Sequence, residues 1–237
     1  MNIYMWSGPR NLSTALMRSF ENREDTKVWD EPFYAYYLKE TKKNHPLANE
    51  IINKYETDLD KIINSVTKEN DFIYFQKHMS HHILNKIPIN WIKKGVNCFL
   101  IRHPKDVLLS YIQKNDLIES NDLGYPAQLR LFNYVKNSNN KILVIDAKDL
   151  SANPEIILKK ICKKINISFT KRMLNWPKGR RNSDGIWEKI WYKNVKSSTS
   201  FNKILNKEYE IPKKYNQIYN ECLEIYDQLK IFNIINE

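Results

Sequence analysis

With 237 residues, 42% hydrophobic and 27% charged side chains, the chain is long and apolar enough for one sizeable core, which excludes a disordered or fibrous polypeptide. A formal charge of +11 favours an anionic ligand, although the abundance of Asn, Ile and Lys, a mark of AT-rich coding, supplies part of it. Cys98, Cys162 and Cys222 are scattered without metal-ligand spacing, which argues against a disulfide framework or a structural zinc.

Short apolar runs alternate with amphipathic stretches, the pattern of a parallel sheet with helices on its faces. In chain order, the first strand is expected over Ile3–Trp6, followed by a helix over Ser13–Asn22 and a strand over Lys27–Trp29. Helices over Leu47–Tyr55 and Leu59–Lys68 lead to strands over Phe72–Phe75 and Val96–Ile101. Then come helices over Lys105–Lys114 and Ala127–Lys136, a strand over Ile142–Ile145 and a helix over Pro154–Lys164. Asn153 reads as an N-cap ahead of Pro154 at the first helical position. A last helix, about Lys214–Ile231, carries Ile218, Tyr219, Leu223, Tyr226 and Leu229 at helical spacing, a packing stripe. Only Trp176–Ser200 lacks periodicity. It is basic and aromatic, with Lys178-Gly179-Arg180-Arg181 followed by Trp187, Trp191 and Tyr192, and reads as a functional loop. No apolar run approaches bilayer length and Met1 leads almost directly into a strand, so a cytoplasmic protein without signal peptide or membrane attachment is expected.

Two strand-to-helix junctions carry chemistry. In Trp6-Ser7-Gly8-Pro9-Arg10-Asn11-Leu12-Ser13-Thr14, a strand ends, a Gly/Pro turn follows and a helix begins. Turn amides and the helix N-terminus there converge on an anion, with Arg10 as fixed charge and Ser13 and Thr14 as hydroxyl donors. The GxxxxGK[ST] signature is absent, so the turn is not a Walker A loop. In Phe99-Leu100-Ile101-Arg102-His103-Pro104-Lys105-Asp106, Arg102 stands at a strand end. Ser110 follows two helical turns later on the same side, a pair suited to a second phosphate.

The Arg102–Tyr111 segment resembles the 3′-phosphate motif of the sulfotransferase superfamily that uses 3′-phosphoadenosine 5′-phosphosulfate (PAPS), and Ser7–Leu16 resembles its 5′-phosphosulfate loop. Asp30-Glu31-Pro32-Phe33 and Asp184-Gly185-Ile186-Trp187 are similar to a bacterial branch of that superfamily. The resemblance implies an α/β fold: a single P-loop-type domain over residues 1–237, with a mostly parallel sheet of about five strands flanked by helices. It implies PAPS as cofactor and adenosine 3′,5′-bisphosphate as its product, with no metal. Gly8, Pro9, Arg10, Asn11, Ser13 and Thr14 would hold the 5′-phosphosulfate, and Arg102 and Ser110 the 3′-phosphate. Arg180 and Arg181 would belong to a basic loop closing over the nucleotide. Arg10 stands where many members place Lys; its planar fork neutralises a leaving phosphate but does not donate a proton to it.

The implied catalytic residues are Glu31, Arg10 and His78. Glu31 is the preferred base for an acceptor hydroxyl or amine, with His78 or His81 positioning the acceptor or a sulfuryl oxygen, and His78 is the alternative base. The expected partner is a small-molecule acceptor, with no nucleic acid and the oligomeric state left open. Phe33, Tyr34, Tyr36, Tyr37, Trp187, Trp191 and Tyr192 either line its pocket or pack the core. Two other readings stand beside this one. A P-loop kinase would enlist Asp146, and a non-catalytic nucleotide or nucleic-acid binder would use the basic aromatic stretch Lys178–Tyr192.

Overall fold

The computed structural model describes residues 1–138, 141–204 and 210–236. Five β-branched and aromatic runs pair into one sheet: β1 (Asn2–Ser7), β2 (Thr26–Asp30), β3 (Ile73–Met79), β4 (Val96–Ile101) and β5 (Ile142–Asp146). All pairings are parallel and the order is β2-β3-β1-β4-β5. The expected parallel α/β fold is therefore present. β1 and β4 are buried along their whole length, as central strands covered on both faces must be.

The longer helices are α1 (Ser13–Glu21), α2 (Tyr34–Thr41), α3 (Ala48–Lys54), α4 (Leu59–Val66), α5 (Pro104–Tyr111), α6 (Tyr125–Lys136), α7 (Ala147–Ala152) and α8 (Pro154–Ile165). Two short ones, α9 (Glu188–Trp191) and α10 (Lys193–Ser197), precede α11 (Asn216–Lys230). Ile3, Met5, Phe75 and Leu143 on one sheet face pack against Leu16 and Phe20 of α1 and Leu158 and Ile161 of α8. Tyr4, Trp6, Phe99 and Ile101 on the other meet α4, α5, α6 and α11, where Tyr226 and Leu229 of the expected stripe are buried together with Cys222. A third cluster, with Tyr34, Leu38, Ile51 and Trp187, joins α2 and α3 to the late segment. Among the described residues no helix is long and apolar enough to cross a membrane.

Three local differences from the sequence reading have physical causes. β3 runs on through Gln76-Lys77-His78-Met79, where polar residues suggested its end. These side chains are buried but engaged: Gln76 donates to the Val66 carbonyl (2.8 Å), Lys77 is ion-paired and His78 stacks on Trp6. α2 forms from a tyrosine-rich stretch of modest helix propensity because its rings are buried against α3 and the late segment. Trp176–Ser200 is built from α9, α10 and packed turns, with Trp176 and Trp187 in the core. Pro154 opens α8 as expected, yet the Asn153 side chain makes no capping bond.

The strand order places a switch point between β1 and β4. From β1 the chain crosses through α1 to β2 on one side, and from β4 through α5 and α6 to β5 on the other. The loops diverge there and leave a crevice at the carboxyl ends of the two strands, the usual ligand position in open α/β sheets.

Candidate functional site

Both anion motifs open at this crevice. Gly8 follows β1, and a Cβ there would stand 2.1 Å from the Leu123 carbonyl oxygen. Gly124, with φ 80°, would place its own Cβ 2.9 Å from Gly8 Cα, so two glycines let the β1 loop touch the turn ahead of α6. Gly8→Ala is expected to destabilise the fold by about 1–3 kcal/mol in urea unfolding, since backbone must move. A variant as stable as wild type would show that the contact yields freely.

Arg10 and Leu12 adopt φ of 63° and 64°, the left-handed region that non-glycine residues avoid. Such strain persists where the surroundings over-determine it. Here the surroundings are the second motif. Arg10 Nε donates to Ser110 Oγ (2.8 Å), and Arg102 Nη1 donates to the Arg10 carbonyl (2.7 Å). The Tyr125 hydroxyl donates to the Arg102 carbonyl (2.5 Å), and Asn11, buried, donates to the Leu100 carbonyl (3.3 Å). The residues expected to hold two separate phosphates thus interlock into one basic site.

Its electrostatics are unbalanced. Burial first, and the neighbouring Arg102 second, hold the Arg10 guanidinium below its usual pKa. Among the described residues no carboxylate pairs with Arg10, and Arg102 has only Asp106, at 3.7 Å. Arg102 Nε is buried without a hydrogen-bond partner. α1 begins with neither a capping side chain nor an acidic first turn, so its first amides face the loop unneutralised. Two cations, an open helix N-terminus and an orphaned donor together call for an anion.

Glu31 lies beyond the end of β2 with φ 51°, a third strained residue in this region. Its amide donates to the Lys77 carbonyl (2.8 Å), extending the β2–β3 register by one residue. Its Oε1 accepts from the Lys77 ammonium, and Oε2 faces His82 Nδ1 at 3.9 Å. Lys77 is 1% exposed and also donates to Asp30 (2.8 Å) and to the Tyr192 hydroxyl (2.8 Å). Asp30 accepts further bonds from Tyr192 (2.7 Å), Trp187 Nε1 (3.0 Å) and the Gly185 amide (3.3 Å). Burial, opposed by Lys77 and reinforced by Asp30, pushes the Glu31 carboxyl up to about 7. A carboxylate poised near neutrality is equipped to take a proton.

Thr14, in the first turn of α1, interacts with the Tyr192 hydroxyl and so links the anion loop to this cluster. The late segment reaches it from a second anchor. Arg18 of α1, 0% exposed, donates to Asp184 (2.6 Å) and Glu21 (3.1 Å), and Gly185 packs so tightly on Trp187 that a Cβ would overlap the ring.

Other expected site residues are placed elsewhere. His78 lies 1% exposed on the opposite face of β3, stacked on Trp6 at 4.6 Å and flanked by Tyr4, Phe33 and Trp91. Burial lowers it to about 3, so it is neutral. Strand alternation is the reason: Lys77 and His78 must point to opposite faces, and Lys77 takes the side of Glu31. Arg180 is exposed near Glu188 (3.7 Å), and Arg181 reaches Glu21 (3.9 Å) at the far end of α1 from the anion loop. Trp187 and Tyr192 brace Asp30 rather than line an open pocket. His81 is half-buried against Tyr37, with Nδ1 beside Gly124. Asp146 caps α7 through the Lys148 amide (2.7 Å) and accepts from Tyr226 (2.5 Å).

The sequence reading gave no role of their own to Asp30 or Lys77. The usable signal was parity: Phe75, Lys77 and Met79 share one face of a buried strand, and a lysine there needs an acidic partner.

The family described as sulfotransferase domain matches residues 1–230. The chain belongs to that family. It is 34% identical over 239 aligned positions to branched-chain-amino-acid aminotransferase-like protein 1 of Arabidopsis thaliana, covering 98% of this chain and 41% of that protein. The chain thus spans about two fifths of the length of its curated relatives. The fold is shared with the sulfotransferase domain of the Synechococcus PCC 7002 olefin synthase (TM-score 0.58, 13% identity, 95% of this chain and 94% of that one). It is shared also with the sulfotransferase domain of the curacin biosynthetic pathway (TM-score 0.55, 12% identity, 93% and 96%). Family and fold agree on a domain of the sulfotransferase type.

Proposed function

We propose that the chain moves a sulfuryl group from PAPS to a hydroxyl or amine of a small-molecule acceptor. The observation that carries this reading is the interlocking of Arg10, Arg102 and Ser110 at the β1/β4 crevice, with a cationic excess and a buried Arg102 Nε that makes no hydrogen bond. The donor set fits a ligand bearing phosphates. Gly8–Thr14 and Arg10 would hold the phosphosulfate end, and Arg102 and Ser110 the 3′-phosphate. PAPS, when bound, supplies a sulfuryl group activated by a phosphate leaving group. Arg10 neutralises charge at the loop, and Glu31 accepts the acceptor's proton at Oε2 while Lys77 holds Oε1. His81, whose Nδ1 lies beside Gly124, and Tyr37 packed against it would form the acceptor side.

The kinase reading loses support because Asp146 is committed to capping α7 and to Tyr226. The nucleic-acid reading loses most of its stacking platform, since within Lys178–Tyr192 the rings of Trp187 and Tyr192 are buried and Trp191 is half-buried.

Calorimetric titration with adenosine 3′,5′-bisphosphate, with AMP and ATP as controls, tests the proposal. Micromolar binding that requires the 3′-phosphate is expected, and a preference for ATP with Mg²⁺ would overturn it. Arg102→Ala should weaken that binding by about 1.5–3 kcal/mol, through loss of charge-assisted bonds. Unchanged affinity would remove Arg102 from the 3′-phosphate site.

A further inference from the structure

The groups facing Glu31 come from four elements: Asp30 from β2, Lys77 from β3 with His82 from the turn after it, Tyr34 from α2 and Tyr192 from the segment after α9. His82 is sandwiched between Tyr34 (4.5 Å) and Tyr37 (4.7 Å), and burial keeps it far below its usual pKa, hence neutral. Tyr34 carries no charge at neutral pH and bonds to His45 (2.5 Å). The charged groups around Glu31 are therefore Lys77 and Asp30.

Lys77 spends its three N–H donors on Asp30, Glu31 and the Tyr192 hydroxyl. Its orientation is fixed, and Asp30 offsets much of its charge. Tyr192 completes the geometry by donating to Asp30 while accepting from Lys77 and from Trp187 Nε1 (3.2 Å). Without Asp30, the full ammonium charge would act on Glu31 and hold it ionised and weakly basic. Without the Tyr192 hydroxyl, Glu31 would lose a hydrogen bond that favours its ionised form, and Asp30 would carry its charge unshared and draw Lys77 away from Glu31.

Resting on the sulfotransferase reading above, we propose that Asp30 and Tyr192 are positioning residues for Glu31. They fix the Lys77 ammonium on Oε1, divide its charge between two carboxylates, and leave Oε2 free to take the acceptor's proton. The late segment is thereby part of the base: Arg18 and Asp184 anchor it to α1, and Tyr192 delivers its hydroxyl to the cluster 162 residues away in sequence from Asp30. Neutral poise of Glu31 is consistent with this arrangement, in which Asp30 raises and Lys77 lowers its pKa.

The test needs no acceptor. The side-chain carboxyl carbon of Glu31, assigned by its loss in Glu31→Gln, is titrated by carbon-13 NMR in wild type, Asp30→Asn and Tyr192→Phe. Asp30→Asn should lower the midpoint by about one pH unit or more, because a like charge is removed beside a retained cation. Tyr192→Phe, the milder change and the safeguard should Asp30→Asn fail to fold, should raise it. A midpoint that stays put or moves the opposite way in a folded variant would overturn the proposal, because a purely structural role has no such signed effect. Titration of the same samples with adenosine 3′,5′-bisphosphate separates the two readings. Wild type that fails to bind it refutes the sulfotransferase assignment, and with it the role of Glu31 as base. Binding with unmoved midpoints refutes the positioning role alone.

Discussion

Glu31→Gln is expected to bind adenosine 3′,5′-bisphosphate like wild type and to lose about 10²- to 10⁴-fold in turnover, the usual contribution of a positioned general base. The amide keeps the shape and the contact with Lys77 but has no proton affinity in the working pH range. The basic site at the β1/β4 crevice is formed by Arg10, Arg102 and Ser110, none of which bonds to Glu31, so nucleotide affinity is spared. Single-turnover assays with PAPS, beside calorimetry, check both halves. Full turnover in the variant would move the base elsewhere.

The same substitution has a signed effect on stability. The Glu31 carboxyl titrates near 7 in the fold against an ordinary value of 4.5, so the folded chain holds its proton more tightly than the unfolded one. Stability attributable to Glu31 is then fully present below pH 4.5 and is lost as pH rises through about 7. Thermal unfolding should show Glu31→Gln gaining on wild type between pH 5.5 and pH 8. Parallel curves would mean that Glu31 is ionised throughout. A base maintained at the expense of stability is a common trade at active sites.

The second large effect is expected at Lys77. Lys77→Met leaves Asp30 and Glu31 buried together without their cation, and breaking a buried ion pair from one side costs about 3–5 kcal/mol. Asp30 retains Tyr192, Trp187 and the Gly185 amide, so the loss falls mainly on Glu31. The destabilisation should accordingly be largest at pH 8 and shrink toward pH 5.5, where Glu31 is protonated. Urea unfolding at both pH values measures it. A loss below about 1 kcal/mol at pH 8, the range of an exposed pair, would show that water reaches the cluster.

The legible part of the site was its local part. Gly8-Pro9-Arg10 and Arg102-His103-Pro104 announce themselves because a turn, a strand end and a helix start lie within a few residues of one another. The partners of those residues were hidden. Arg10 and Ser110 are 100 residues apart, and nothing in either segment says that they touch. His78 was misjudged for a different reason: polar residues at the end of a strand were read as loop, so the parity that assigns Lys77 to the site and His78 to the aromatic core was lost. The tryptophans of the late segment marked it as important, yet the burial of Trp187 against Asp30 follows from Arg18 and Asp184 docking the segment on α1.

By itself the sequence determined the alternation of strands and helices, the parallel α/β class and the two basic strand-end motifs, because periodicity, turn residues and helix starts act over one or two turns of chain. Only the tertiary structure decided that the motifs share one crevice and that Lys77, Asp30 and Tyr192 hold Glu31. Those contacts depend on the strand order β2-β3-β1-β4-β5 and on which face each residue of β3 presents. Both are settled by the packing of two helical layers and a buried charge cluster, which no short stretch of sequence contains.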